Sequence, residues 1–176
     1  PKRRSRGPRG RPRRPPTNSL LRLLLPAALL LALVPTPGQA KVRAGDSGIG
    51  IILGEPSGLS GKLFLSPRHA FDAGLSFSIL DDALYLHVDY LLHFPKAMAG
   101  LEGGQWLPYA GVGGQFEVHQ RRDDGHAALA VRFPAGLAWH PAGSAVDFFV
   151  ELALGLKVFP ATRPSMGGGF GVRLYL

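Results

Sequence analysis

Residues 83–94 read ALYLHVDYLLHF, and the two alternate faces of this stretch differ in kind. One face carries Leu84, Leu86, Val88, Tyr90, Leu92 and Phe94. The other carries Tyr85, His87, Asp89 and His93. Successive side chains of a strand point to opposite sides, so strict alternation of this length marks a strand with one apolar and one polar face.

The same test picks out seven more segments. Residues 48–54 set Ile49, Ile51 and Leu53 against glycines, and 59–66 set Leu59, Leu63 and Leu65 against Ser60, Lys62 and Ser66. Residues 70–80 set Phe71, Leu75, Phe77 and Ile79 against Asp72, Gly74, Ser76 and Ser78. Beyond residue 94 the pattern returns in 106–119, 126–140, 145–158 and 166–176. The apolar positions there include Trp106, Phe116, Val131, Trp139, Val150, Leu152 and Phe170. Turn residues separate the segments: Glu55-Pro56-Ser57-Gly58, Ser66-Pro67-Arg68-His69, Asp81-Asp82 and Pro141-Ala142-Gly143. Gln120 to Gly125 reads as a charged loop, and Pro95 to Gly104 as the longest linker. The expected fold class is all-β: an eight-stranded antiparallel up-and-down barrel over 46–176.

Where the charges fall says which way the barrel faces. Within these segments Lys62, Asp72, Asp89, Glu117, Arg132, Asp147, Glu151, Lys157 and Arg173 all lie on the second face. That face is otherwise small, rich in Gly and Ser. A narrow eight-stranded lumen has room for small residues and paired charges. A charge on a lipid-facing wall costs roughly 2–4 kcal/mol near the bilayer midplane, which accounts for the clean sorting. The opposite topology, a soluble periplasmic barrel holding an apolar ligand, requires the Leu/Val/Phe face to point inward. The transmembrane barrel is the reading adopted. Strands of this length cross a bilayer when tilted. With both ends on the periplasmic side, Phe71, Phe94, Trp106 and Trp139 form an aromatic girdle at that lipid interface.

Composition excludes other classes. The 176 residues contain no Cys, so disulfide scaffolds, zinc ribbons and thiol nucleophiles are out. The formal charge of +8 is misleading. Nine of the 20 Lys/Arg lie in residues 1–40, which hold no acid; residues 41–176 carry 11 bases against 12 acids, net −1. The body gives no charge argument for nucleic-acid binding. Residues 1–19 form a basic Pro/Gly-rich n-region expected to be disordered, and 20–40 an apolar h-region ending in Gly38 and Ala40. Together they read as a secretory signal peptide cleaved after Ala40. Pro8-Arg9-Gly10-Arg11-Pro12 matches the core of a minor-groove AT-hook, but a single copy inside an Arg/Pro/Gly tract reads as n-region.

The chain resembles small outer-membrane β-barrels of the OmpA/OmpX type. It is also similar to a bacterial outer-membrane β-barrel family of unknown function. The similarity rests on Gly48 to Lys62 (GIGIILGEPSGLSGK), Leu86 to His93 (LHVDYLLH), Pro108 to Gly113 (PYAGVG) and Gly171 to Leu176 (GVRLYL). It implies a fold and an outer-membrane location rather than an activity. Its implied partners are the lipid bilayer and the barrel-assembly machinery, with the barrel acting as a monomer. Such barrels usually close on a terminal aromatic, whereas this chain closes on Tyr175-Leu176.

The polar face offers few chemical possibilities. If Asp81-Asp82 is a two-residue hairpin loop, Ser76 lies across from His87 and Gly74 across from Asp89. A nucleophile, base and orienting carboxylate would then share one face. This is the basis for a rival reading as an outer-membrane hydrolase or acyltransferase acting on lipid A or phospholipid. His87, Asp89 and His93, or Glu117 and His119, have the i, i+2 spacing of ligands on one strand, but no diagnostic metal motif exists. The expectation is no enzyme, no cofactor and no metal. Five inward acids, Asp72, Asp89, Glu117, Asp147 and Glu151, stand against four bases, Lys62, Arg132, Lys157 and Arg173. With Ser76 and His87 these are expected to form an ion-paired network that fills the lumen and leaves no open pore.

Overall fold

A computed structural model describes residues 42–80, 82–119 and 127–176. The basic tract with its Arg-Gly-Arg motif, the apolar segment, the cleavage site, Asp81 and the Gln120–Gly125 loop lie outside the described residues. Eight strands follow in order: β1 (Ser47–Glu55), β2 (Ser57–Ser66), β3 (His69–Ser78), β4 (Ala83–His93), β5 (Gly104–His119), β6 (Ala127–Pro141), β7 (Val146–Phe159) and β8 (Arg163–Tyr175). Each pairs with its neighbour in sequence, and β8 closes on β1, so the sheet is a closed antiparallel barrel. Closure removes the unpaired edges that a flat sheet would expose.

The strands are staggered. The row that starts at Ile49 passes through Gly61, Ala73, Val88, Gly114, Val131 and Leu156 to Pro164. Pro164 lies four residues before Gly168, the partner of Glu55, so one circuit climbs by ten residues. A stagger of this size tilts the strands against the barrel axis and sets a narrow bore.

The apolar face points outward. On β4, Leu86 is 50 % exposed while Asp89, three residues on, is 1 % exposed. The same contrast holds round the wall, from Leu59 and Leu75 to Leu152 and Phe170, all exposed. This arrangement excludes the inside-out barrel that would bind an apolar ligand in its bore.

The β3–β4 connection corrects the two-residue hairpin. Ser78 pairs with Ala83, so the loop is 79–82, with Ile79 and Leu80 projecting at its tip. Asp82 takes a left-handed backbone (φ 50°), which a short polar residue tolerates in a turn. The alternation of 70–80 continues into Ile79 only because a turn residue happens to be apolar. The β1–β2 connection is wider than the Glu55–Gly58 turn expected: Ile52 pairs with Gly58, so the two strands part over 53–57, where Ser57 Oγ bonds the backbone of Gly54 at both its N–H and its carbonyl.

The lumen has two zones. At the rim holding Ser47 and Tyr175, an inward apolar plug gathers Phe64, Leu91, Leu107, Tyr109, Ala138 and Tyr175. The segment before β1 seals it: Gly45 N–H donates to Phe64 O (2.8 Å), Phe64 N–H to Asp46 O (2.9 Å), and Val42 is buried. The rest of the bore is polar.

Candidate functional site

The polar bore is the only concentration of buried charge among the described residues. Its members come from every strand except β1, each at an inward position of the two-residue repeat. The nine charges predicted to face inward do point into the bore: eight lie at 7 % exposure or less, and Lys157 Nζ sits in the upper lumen on Glu117.

Arg173 of β8 lies nearest the plug. Its Nη2 donates to Asp72 Oδ2 (2.6 Å) and its Nε to Ser60 Oγ (2.9 Å), and Asp147 Oδ2 is 3.8 Å from Nη1. Its guanidinium stacks on the Phe149 ring, 3.6 Å from the centroid. Arg suits this place because its planar fork serves several acceptors while its faces pack on an aromatic ring. Lys62 sits 3.9 Å from Asp72 and lies over the Tyr109 ring. Tyr175 donates to Asp147 (3.0 Å), and His140 lies 3.5 Å from the same carboxylate.

Arg132 of β6 forms the next layer. Its Nε meets Asp89 Oδ2 at 2.9 Å, its Nη2 binds Glu151 Oε1, and its Nη1 donates to Gln115 (3.4 Å). Tyr109 donates to the other oxygen of Glu151 (2.9 Å). Above it, Glu117 accepts from Gln115 (2.9 Å) and pairs with Lys157 (2.6 Å). Burial of so many charges is sustained because each carboxylate meets a cation or a donor. Unpaired, each would cost several kcal/mol (order of magnitude).

Glycines make room for these groups. A Cβ at Gly74 would overlap the His87 ring, one at Gly113 the Asp89 carboxylate, and one at Gly136 the Tyr109 ring. In each pair the glycine lies on the adjacent strand, next to the large group it admits.

Ser76 and His87 are not brought together. Ser76 pairs with Tyr85, and His87 with Gly74, two residues away from the expected register. The His87 Nε2 lies 3.7 Å from Asp72 and 4.0 Å from Asp89, and Ser76 Oγ is buried with no hydrogen bond. The expected Ser–His–Asp alignment is thus corrected: the imidazole faces two carboxylates and no nucleophile. Of the residues considered as metal ligands, His93 packs at a tilt against Phe64 in the plug, away from the Glu117–Lys157 pair, and among the described residues no group of three or more His, Asp or Glu is arranged to hold a metal ion.

The four aromatics expected at a lipid interface lie on the outer face of the rim that holds Ser47 and Tyr175. Trp106 stacks on Trp139 (5.5 Å), which stacks on Phe148 (5.8 Å). Phe71 meets Tyr90 edge-on, and Tyr90 Oη bonds His69 Nδ1 (2.7 Å). Phe94 lies just past β4 and is 39 % exposed. The network also takes in Ser60, Tyr109, Gln115 and Tyr175, which the sequence reading did not include in it. It missed Phe64, Leu91 and Leu107 as inward apolar residues. Their parity was the available signal, since each occupies an inner position beside outward neighbours.

No family model matches the chain, and no curated protein sequence does. Among solved structures it is similar to the N-terminal β-barrel domain of Pseudomonas aeruginosa OprF, at 18 % identity and a TM-score of 0.54. The match covers 75 % of this chain and 98 % of that domain. The two share a fold, a closed eight-stranded antiparallel β-barrel.

Proposed function

We propose that the chain is a small outer-membrane barrel with a structural role: envelope integrity or surface contact, carried out by a wall with a filled lumen. The observation that carries this reading is the inverted distribution of polarity. Apolar side chains cover the outside of a closed barrel, while nine charges pair inside it. Water offers no reason for such a wall, whereas a bilayer does. The outer aromatic cluster near the terminal rim suits the level of the headgroups. The similarity of fold to the OprF barrel supports the same location.

The layers around Arg173 and Arg132 and the apolar plug favour a closed bore. Purified barrel inserted in a planar bilayer is expected to give no steady conductance; a stable open channel in the wild type would refute the filled lumen. The role itself is tested by deletion. The deleted strain is expected to become sensitive to detergent or chelator, with its lipids unchanged. A Ser76→Ala allele is expected to restore resistance. Altered lipid A or phospholipid acylation in both strains would instead establish the hydrolase or acyltransferase.

A further inference from the structure

The rim that holds Ser47 and Tyr175 carries its charges unevenly. Residues 66–71 and 90–101 contain two bases, Arg68 and Lys96, and no acid. Arg68 lies in the turn that joins β2 to β3, and Lys96 in the connection that follows β4. His93 N–H donates to Arg68 O (2.7 Å), so the two connections are neighbours on the rim. Both cations are exposed, and neither pairs with a carboxylate among the described residues. The nearby acids serve elsewhere. Asp46 accepts from the Arg43 N–H (2.7 Å), and Glu102 adjoins Gly103, whose carbonyl accepts from Ala142 N–H (3.2 Å) on the β6–β7 turn.

The outer wall beside this corner has a fixed shape. Ser66 Oγ accepts from the N–H groups of Arg68 and His69, both at 3.2 Å, and so sets the turn. On the outer face His69 stacks on Tyr90 (5.8 Å), and Phe71 meets the same ring edge-on (5.6 Å). Tyr90 Oη donates to His69 Nδ1 (2.7 Å), which leaves the ring proton on Nε2. The imidazole is thus a donor held in place, next in the chain to Arg68. It lies among the aromatic rings that mark the level of the headgroups.

We propose that this corner binds one anionic phospholipid of the periplasmic leaflet, of the phosphatidylglycerol class. The phosphate diester takes the Arg68 guanidinium, whose planar fork matches two phosphate oxygens, and the Lys96 ammonium. The His69 Nε2–H donates to the headgroup, and the first acyl carbons pack on Phe71 and Tyr90. The choice of lipid follows from charge. Every glycerophospholipid brings a phosphate, but ethanolamine and choline add a cation, which two bases without an acid repel. A glycerol headgroup adds none and supplies hydroxyl oxygens for the imidazole N–H. The inference rests on the membrane-barrel reading above, with both ends of the barrel on the periplasmic side, where the outer membrane presents phospholipid.

The test is native mass spectrometry of the purified barrel, released from bilayers containing equal phosphatidylglycerol, phosphatidylethanolamine and phosphatidylcholine. One phosphatidylglycerol is expected to be retained in preference by about twentyfold, since each base beside an anionic headgroup contributes roughly fivefold. Arg68→Gln and Lys96→Gln are each expected to cut the preference about fivefold, and the double variant to remove it. Tyr90→Phe, which frees the imidazole, is expected to cut it about threefold. Arg163→Gln removes the same charge at the opposite rim and is expected to leave the preference unchanged. Equal retention of the three lipids by the wild type, or of none, overturns the proposal. So does a preference that survives the double variant, that Arg163→Gln lowers as much as Arg68→Gln does, or that Tyr90→Phe leaves unmoved. Each protein is first checked for the gel-mobility change on boiling that a folded barrel shows. If the wild type lacks it, the membrane reading fails; if it has it and no lipid is selected, only the lipid site fails.

Discussion

Arg132 shows how one residue holds four strands together. It comes from β6 and binds Asp89 of β4 and Glu151 of β7, with Gln115 of β5 at its third donor. Replacing it with Met leaves two buried carboxylates without their shared cation. Arg132→Met is expected to destabilise the barrel by about 3–5 kcal/mol, the typical cost of stranding a buried partner. The triple variant Arg132→Met, Asp89→Asn, Glu151→Gln is expected to recover a large part of that loss. Urea titration in lipid vesicles measures both, and equal stability of Arg132→Met and wild type would show that the pairing carries no weight. Gly74 makes the complementary point about space. Gly74→Val puts a branched side chain where the His87 ring lies, and is expected to cost about 1–3 kcal/mol by overpacking. Which charged residues face inward was legible in the sequence, because their parity within each strand decides it. Which inward residues meet was not, because Arg132 reaches partners on strands far apart in the chain.

At the scale of the strand, alternation fixes faces and leaves register open. A slip of one residue moves a whole strand inside out, but a slip of two preserves every face. Reading Asp81-Asp82 as the β3–β4 loop is a slip of two: it kept Ser76, His87 and Asp89 inward while giving each the wrong partner. Ile79 and Leu80 concealed the longer loop, since two apolar tip residues read as strand. The absence of Cys allows a direct check. Ser76→Cys with Tyr85→Cys is expected to oxidise to a disulfide in the folded barrel, and Ser76→Cys with His87→Cys is not. The reverse pattern would restore the two-residue hairpin. The wall itself is tested at Leu86, which points outward near the middle of β4. Leu86→Arg is expected to cost about 2–4 kcal/mol in a bilayer. An exposed site in water usually moves by about 0.5 kcal/mol or less, so a near-neutral result in lipid vesicles would argue against lipid contact there.

For the molecule as a whole, the claim is that polarity is inverted because the solvent is lipid. A closed barrel with a stagger of ten residues, an apolar exterior and a bore packed by charge layers and an aromatic plug is stable only where its outside avoids water. The sorting of nine charges to one face made the inverted polarity legible in the sequence, whereas the plug of Phe64, Leu91 and Leu107 was hidden within otherwise apolar runs. The most direct measurement is fractionation combined with gel mobility. Outer membranes from cells expressing the chain are extracted, and the protein is run unheated and boiled on a denaturing gel. The account predicts a band in the membrane fraction whose mobility changes on boiling. A soluble periplasmic band with unchanged mobility would contradict it.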